Sequence, residues 1–255
     1  MHEIGPFLKK YKDIMTPEKV LIIIPTYNEK ENIGLLIPAI DSYVPGVHIL
    51  IVDDGSPDGT SAFVKEIGKQ RNNLFVLDRT KKEGLGKAYV AGFHWALARD
   101  YEYIFEMDAD FSHDPKYLPD FLKAIEGSDI IIGSRYISGV NVINWPMSRL
   151  LLSYFASFIA RIITGIPLRD CTAGFKCFRR EVLEKVRIDK IDSSGYAFQI
   201  EMNFFAWKNK FRIAEIPIVF TDRQRGASKM STKIIREGII LLWKLRLRSI
   251  FAGKP

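Results

Sequence analysis

Five short apolar runs set the rhythm of the first half of the chain, and each stops at a polar or glycine-bearing cluster. They are Val20-Leu21-Ile22-Ile23-Ile24, His48-Ile49-Leu50-Ile51-Val52, Leu74 to Leu77, Tyr103-Ile104-Phe105-Glu106-Met107 and Ile130-Ile131-Ile132. Continuous runs of this length predict strands buried on both faces, as in a parallel sheet. The intervals hold helix-length segments: Glu31 to Ser42, Ser61 to Lys69, and a stretch that opens in the loop Arg79–Lys87 and reaches Ala98. Another begins at Pro115, a residue favoured at a first helical position. Strand alternating with helix predicts an α/β fold, an open and mostly parallel sheet with helices on both faces.

In such sheets ligands bind beyond the carboxyl ends of the strands. The polar residues gather there: Tyr27 and Glu29, Asp53 and Asp54, Asp108 and Asp110, and Arg135. The fourth end carries the sharpest chemistry. If the strand continues through Asp108-Ala109-Asp110, alternate side chains point the same way and both acids aim at one spot. Carboxylates that close repel each other unless a cation lies between them. Hard oxygen ligands suit Mg²⁺ or Mn²⁺, held by one or two carboxylates and substrate phosphates. A metal–diphosphate site is therefore the expectation, and a solvated loop is the plainer reading of an isolated Asp-x-Asp.

The second half changes character. Arg149 to Ile166 is strongly apolar but broken by Arg161 and polar at its ends. No run of about 18 uncharged apolar residues occurs, so no bilayer-spanning helix is expected. Ser231 to Phe251 sets Lys233, Arg236, Lys244, Arg246 and Arg248 among leucines, isoleucines and Trp243. Such a basic amphipathic helix either lies in a membrane interface or docks on its own domain. The expected division is a domain over 1–230 and this helix over 231–255. Met1 to Thr16 lacks the apolar core of a signal peptide.

Composition narrows the partners. The 37 Lys+Arg against 30 Asp+Glu leave +7, which favours nucleotides, nucleic acid or an acidic membrane surface. Two cysteines, Cys171 and Cys177, are too few for a zinc site and suit a reducing compartment.

Five stretches occur in order: Pro25-Thr26-Tyr27-Asn28-Glu29, Asp53-Asp54-Gly55-Ser56-Pro57-Asp58-Gly59-Thr60, Gly84-Leu85-Gly86-Lys87-Ala88-Tyr89, Asp108-Ala109-Asp110 and Arg223-x-Arg225-Gly-x-Ser228-Lys229. With them the chain resembles the dolichyl-phosphate mannose synthases, inverting GT-A-fold glycosyltransferases of family 2, over roughly residues 20 to 230. The resemblance implies transfer of mannose from GDP-mannose to a dolichyl or other polyprenyl phosphate, at the cytoplasmic face of a membrane. By position, Pro25, Tyr27 and Glu29 would line the base and ribose pocket, with Val52 and Asp54 opposite. Asp53 reads equally as an Asx-turn former before Gly55. Asp108, Ala109 and Asp110 would hold ribose, diphosphate and Mg²⁺ or Mn²⁺, Ser112 would add a metal ligand, and His113 is read as a loop residue. Arg135 would face the nucleotide sugar or the acceptor phosphate. Arg149 and Ser153, one helical turn apart, would grip the lipid phosphate. Arg223 and Lys229 would close over the diphosphate from a loop given its turns by Gly226. Gln199 and Glu201 would line the acceptor site, or Glu201 would be an ordinary helix-surface residue.

The chemistry follows from charge. A divalent cation at the acids, with Arg223 and Lys229, would stabilise the departing diphosphate. The nucleophile, a phosphate monoester with a second pKa of about 6, needs no strong base. Many relatives carry transmembrane helices after the catalytic domain. None is expected before Pro255, so membrane access would come through the Leu150–Ile163 helix, the basic C-terminal helix, or a separate membrane subunit. Other readings are a family-2 transferase using UDP-glucose or another donor, with Glu201 a base if the acceptor is a hydroxyl. A non-catalytic membrane scaffold would be indifferent to loss of Asp108 and Asp110. A nucleic-acid binder is disfavoured by the acidic rim.

Overall fold

The computed structural model describes residues 16–191, 193, 195–221 and 232–251. The apolar runs become β1 (Val20–Thr26), β2 (His48–Asp53), β3 (Leu74–Asp78), β4 (Tyr103–Glu106) and β5 (Ile130–Ser134). Four further strands follow: β6 (Val142–Ile143), β7 (Lys176–Arg179), β8 (Ile213–Pro217) and β9 (Phe220–Thr221). The main sheet has seven strands in the order β3-β2-β1-β4-β7-β5-β8, and β6 pairs with β9 apart from it. β7 runs antiparallel to both its neighbours, whereas the other pairs are parallel. The direction of winding reverses between β1 and β4, so their carboxyl ends flank the crevice where open α/β sheets bind ligands.

The helices are α1 (Lys30–Tyr43), α2 (Thr60–Gly68), α3 (Leu85–Leu97), α4 (Leu118–Ala124), α5 (Met147–Thr164), α6 (Arg180–Lys185), α7 (Tyr196–Lys208) and α8 (Thr232–Phe251). Pro115 opens a single 3₁₀ turn ahead of α4 rather than the α-helix itself. Alternate residues of β1 feed two cores. Leu21 and Ile23 pack with Tyr89 and Phe93 of α3 and with Phe198 of α7, while Ile22 and Ile24 meet Leu36 and Ile40 of α1. This two-sided burial is why the strands read as unbroken apolar runs.

β4 is shorter than its sequence suggests. Its parallel pairing with β1 ends at Glu106 opposite Ile23, and its antiparallel pairing with β7 ends at Glu106 opposite Lys176. Asp108 and Asp110 therefore lie in the loop beyond the sheet, not on an extended strand. The same early stop explains Pro25 in a central strand: past Ile23, β1 has no β4 neighbour requiring the missing N–H.

α5 turns Ser157, Ala160 and Thr164 inward and leaves Met147, Leu151, Phe155 and Ile162 exposed. By length and composition it is the one helix among the described residues able to cross a membrane. α8 packs on α5 and α7. It buries Leu242 and Leu245 but exposes Ile239, Ile240, Trp243 and Leu247, so docking on the domain and an outward apolar face coexist.

α3 approaches the sheet closely at Gly92, where an added Cβ would stand 2.6 Å from Ile23 Cγ2. Gly92→Ala should destabilise the fold by about 1–3 kcal/mol, read as a lower urea midpoint at unchanged slope.

Candidate active site

At the nucleotide end of the rim one carboxylate stitches two loops together. Asp53 accepts hydrogen bonds from Thr26 Oγ1 (2.9 Å), from the Ser56 N–H (2.9 Å) and from Ser56 Oγ (2.6 Å). Ser56 Oγ in turn accepts the Asn28 N–H at 2.9 Å, which holds Asn28 in a left-handed turn at φ 61°. Asp53 is thus committed to shaping the loop, and its Asx-turn reading is the one the structure supports. Asp54 faces the other way. Its Oδ1 lies 2.5 Å from Arg79 Nη1, and burial lifts its pKa despite that partner. Tyr27 is 37% exposed at the mouth, with Lys82 Nζ 3.7 Å above its ring. Glu29 accepts from Asn32 Nδ2 at 2.6 Å. Val52 is fully buried in the α3-side core.

The acidic corner is oriented from below. Asp108 Oδ1 accepts from the Tyr89 hydroxyl at 3.2 Å. Burial, then the charges of Asp108 and Glu106, raise the Tyr89 pKa far up, so the phenol remains a donor. The Asp108 N–H donates to His113 Nδ1 at 2.9 Å, and the His113 ring stacks on Phe175 at 4.9 Å. Burial lowers the His113 pKa, which keeps the ring neutral and Nδ1 available as acceptor. His113 is a loop residue, as expected, and it is buried there as a brace for Asp108. Asp110 Oδ1 accepts the Ser112 N–H at 3.1 Å around Phe111, which adopts φ 61°. Ala109, between the acids, is buried. Asp108 and Asp110 present hard oxygen donors, as Mg²⁺ or Mn²⁺ requires. No cluster of three His, Cys, Asp or Glu donors occurs among the described residues, so an ion there would complete its shell with water and phosphate oxygens.

Past β5 lies a basic end. Arg135 is buried and forked onto Asp170, with Nε 2.7 Å from Oδ2 and Nη2 2.6 Å from Oδ1; Nη2 also donates to Thr172 Oγ1 at 2.7 Å. Burial alone would raise the Asp170 pKa, but Arg135 draws it below the ordinary carboxylate value. Arg149, in the first turns of α5, stacks on Trp145 with its guanidinium carbon 4.2 Å from the ring centroid. Ser153, one turn on, accepts from the Tyr136 hydroxyl at 2.9 Å. Arg223 and Lys229 lie outside the described residues.

Comparison with known proteins now bears on this rim. The family model described as glycosyl transferase family 2 matches residues 21–187. The chain belongs to glycosyltransferase family 2. It is 47% identical over 235 residues to the polyprenol monophosphomannose synthase of Mycolicibacterium smegmatis, covering 91% of this chain and 89% of that one. It is 43% identical over 235 residues to the undecaprenyl-phosphate mannosyltransferase of Micrococcus luteus, covering 92% and 97%. Among solved structures, glucosyl-3-phosphoglycerate synthase from Mycobacterium tuberculosis with Mg²⁺ and UDP superposes at TM-score 0.66 and 18% identity, covering 95% of this chain and 83% of that one. Its complex with Mn²⁺, UDP and glucosyl-3-phosphoglycerate gives TM-score 0.63 at 18% identity, covering 96% and 83%. The fold is GT-A.

Beneath the acids of this glycosyltransferase lie a buried carboxyl and a buried amine with no obvious trace in the sequence. Glu106 and Lys176 face each other across β4 and β7, both 0% exposed. Burial pushes the Glu106 pKa to about 7, against the pull of Lys176 and Gln199. Burial likewise lowers that of Lys176 to about 8. Lys176 donates to the side-chain carbonyl of Gln199 on α7 and, at 3.3 Å, to its backbone carbonyl. Gln199 thus serves the interior beneath the rim. Glu201 accepts from Ser193 Oγ at 2.5 Å and is buried, which overturns its reading as a helix-surface residue.

Sequence reasoning also missed Arg79, Tyr89, Tyr136, Trp145 and Asp170 as parts of the rim. Only Tyr89 and Arg79 fell inside stretches it had marked, and neither was given a role. Removing one partner of the buried pair should cost far more than removing both. Lys176→Met is expected to lose about 3–5 kcal/mol of stability, while Glu106→Leu/Lys176→Met should return to within about 1 kcal/mol of the parent by urea unfolding.

Proposed function

We propose that the enzyme transfers mannose from GDP-mannose to a polyprenyl phosphate with inversion at the anomeric carbon, working at a membrane surface. One observation carries this reading: the acidic corner and the two arginines share one rim, and Arg149 sits on the helix whose outer face is exposed and apolar. A lipid phosphate needs both properties side by side, a cationic grip and an apolar landing for its chain. The names of the relatives at 43–47% identity point to the same sugar and acceptor class.

The residues divide the work. Asp54, held by Arg79, would accept from base N–H groups, and Tyr27 would cover the base. Asp108 and Asp110 fit Mg²⁺ or Mn²⁺, which when bound would offset the negative charge on the departing diphosphate. Arg223 and Lys229 are assigned to the same charge. Arg149 and Ser153 would hold the acceptor phosphate, with Arg135 fixed beside them by Asp170. That phosphate is largely ionised near neutrality, its second pKa being about 6, so no carboxylate is needed as base. A hydroxyl acceptor would need one.

We further place the enzyme peripherally on the cytoplasmic leaflet. Its anionic surface attracts basic side chains by about 1 kcal/mol each, in keeping with the +7 balance. The outward faces of α5 and α8 are equally available to a membrane subunit. Polynucleotide is not proposed as a partner, because the rim is acidic where bases would lie.

A radiolabelled panel of nucleotide sugars and polyprenyl phosphates, with and without Mn²⁺, tests the reading. Label should pass from GDP-mannose to lipid, with GDP competing better than UDP. Asp110→Asn should lower turnover about a hundredfold or more while melting normally. Arg149→Ala should raise the acceptor KM and spare the donor KM. Undiminished turnover by a folded Asp110→Asn protein would remove that acid from the site. Preferred use of UDP-glucose would replace the donor assignment.

A further inference from the structure

Between β6 and α5 the chain sets Trp145 against two guanidiniums. The Arg149 guanidinium carbon lies 4.2 Å from the indole centroid and that of Arg135 lies 5.4 Å from it. Phe220 meets the same ring edge-on, at 5.4 Å and 76°. Among aromatic side chains the indole face attracts a cation most strongly.

The two arginines are held by different means. Arg135 is forked onto Asp170 and Thr172 at the end of β5. Arg149 belongs to α5, so its distance from Arg135 depends on what ties that helix to the sheet. The ties at this corner include the Tyr136–Ser153 hydrogen bond, the Tyr136–Tyr154 ring contact, the Ser157–Thr172 hydroxyl pair and the Trp145 ring, and of these Trp145 touches the Arg149 guanidinium. The indole N–H is enclosed and has no hydrogen-bond partner among the described residues. An enclosed, unpaired donor is a cost that phenylalanine would avoid. Packing alone therefore gives no reason for tryptophan here, whereas its larger and more electron-rich face does.

We propose that Trp145 is a positioning residue of the acceptor site, its indole face holding the Arg149 guanidinium where it meets the lipid phosphate. The inference rests on the reading of Arg149 as an acceptor-phosphate ligand. It adds that affinity for the lipid phosphate is set partly by a side chain that does not touch it.

Calorimetric titration of the full chain separates the two ideas. The parent, Trp145→Phe, Trp145→Ala, Arg149→Ala and the Trp145→Ala/Arg149→Ala double variant are each titrated with a short-chain polyprenyl phosphate. GDP with Mn²⁺ is titrated separately, and melting temperature is recorded for each. Trp145→Ala should weaken binding of the lipid phosphate about tenfold and leave GDP binding within about twofold. Trp145→Phe should fall between, melting no lower than the parent. The double variant should bind the lipid phosphate no worse than Arg149→Ala, because both changes remove one coupled contact.

Parent-like lipid binding by Trp145→Ala, beside a clear loss in Arg149→Ala, overturns the inference and spares the acceptor site. Multiplying losses in the double variant also overturn it, as does an equal loss of GDP binding. Parent-like binding by Arg149→Ala overturns the acceptor assignment, and this inference with it.

Discussion

Three carboxylates within five residues, Glu106, Asp108 and Asp110, impose the constraint around which this enzyme is built. Like charges at such spacing repel, and burial makes the repulsion harder to screen. The fold answers each acid separately. Glu106 stays in the sheet opposite Lys176, which only an antiparallel β7 places there. Asp108 accepts from the Tyr89 hydroxyl and gives its own N–H to His113 Nδ1, and Asp110 accepts the Ser112 N–H. These neutral partners orient the two outer acids without cancelling their charge. What remains is negative potential aimed into the crevice between β1 and β4, the kind of place a divalent cation with a phosphate cargo occupies.

The basic end solves the opposite problem. Two guanidiniums near one another would repel, yet Arg135 is neutralised by Asp170 while Arg149 lies against an aromatic face. Negative corner and positive corner are linked through Phe220, whose ring meets His113 on one side and lies near Arg135 and Trp145 on the other. The outward apolar residues of α5 start beside Arg149, so that arginine and an exposed apolar face belong to a single helix.

Much of this was legible along the chain because it is local. β1, β2, β4 and β5 are buried on both sides and show themselves as apolar runs. The Asp108–Asp110 pair sits at the end of one of them, and the Asp53–Thr60 turn carries its own hydrogen-bonding chemistry. β7 was not legible: Lys176-Cys177-Phe178-Arg179 has no apolar run, and its antiparallel course depends on strands far away in sequence. His113 is the loop residue it was read as, but its burial was not legible, because its stacking partner, Phe175, lies beyond α5.

The order of strands and helices, the acids at a strand's end and the apolar, basic character of the second half were written in the sequence, because short-range patterning and local charge produce them directly. Tertiary structure alone decided where the β4 pairing stops, which lysine lies opposite Glu106, and that Asp170 holds Arg135. Those outcomes depend on contacts between residues separated widely in sequence, whose geometry no local pattern encodes.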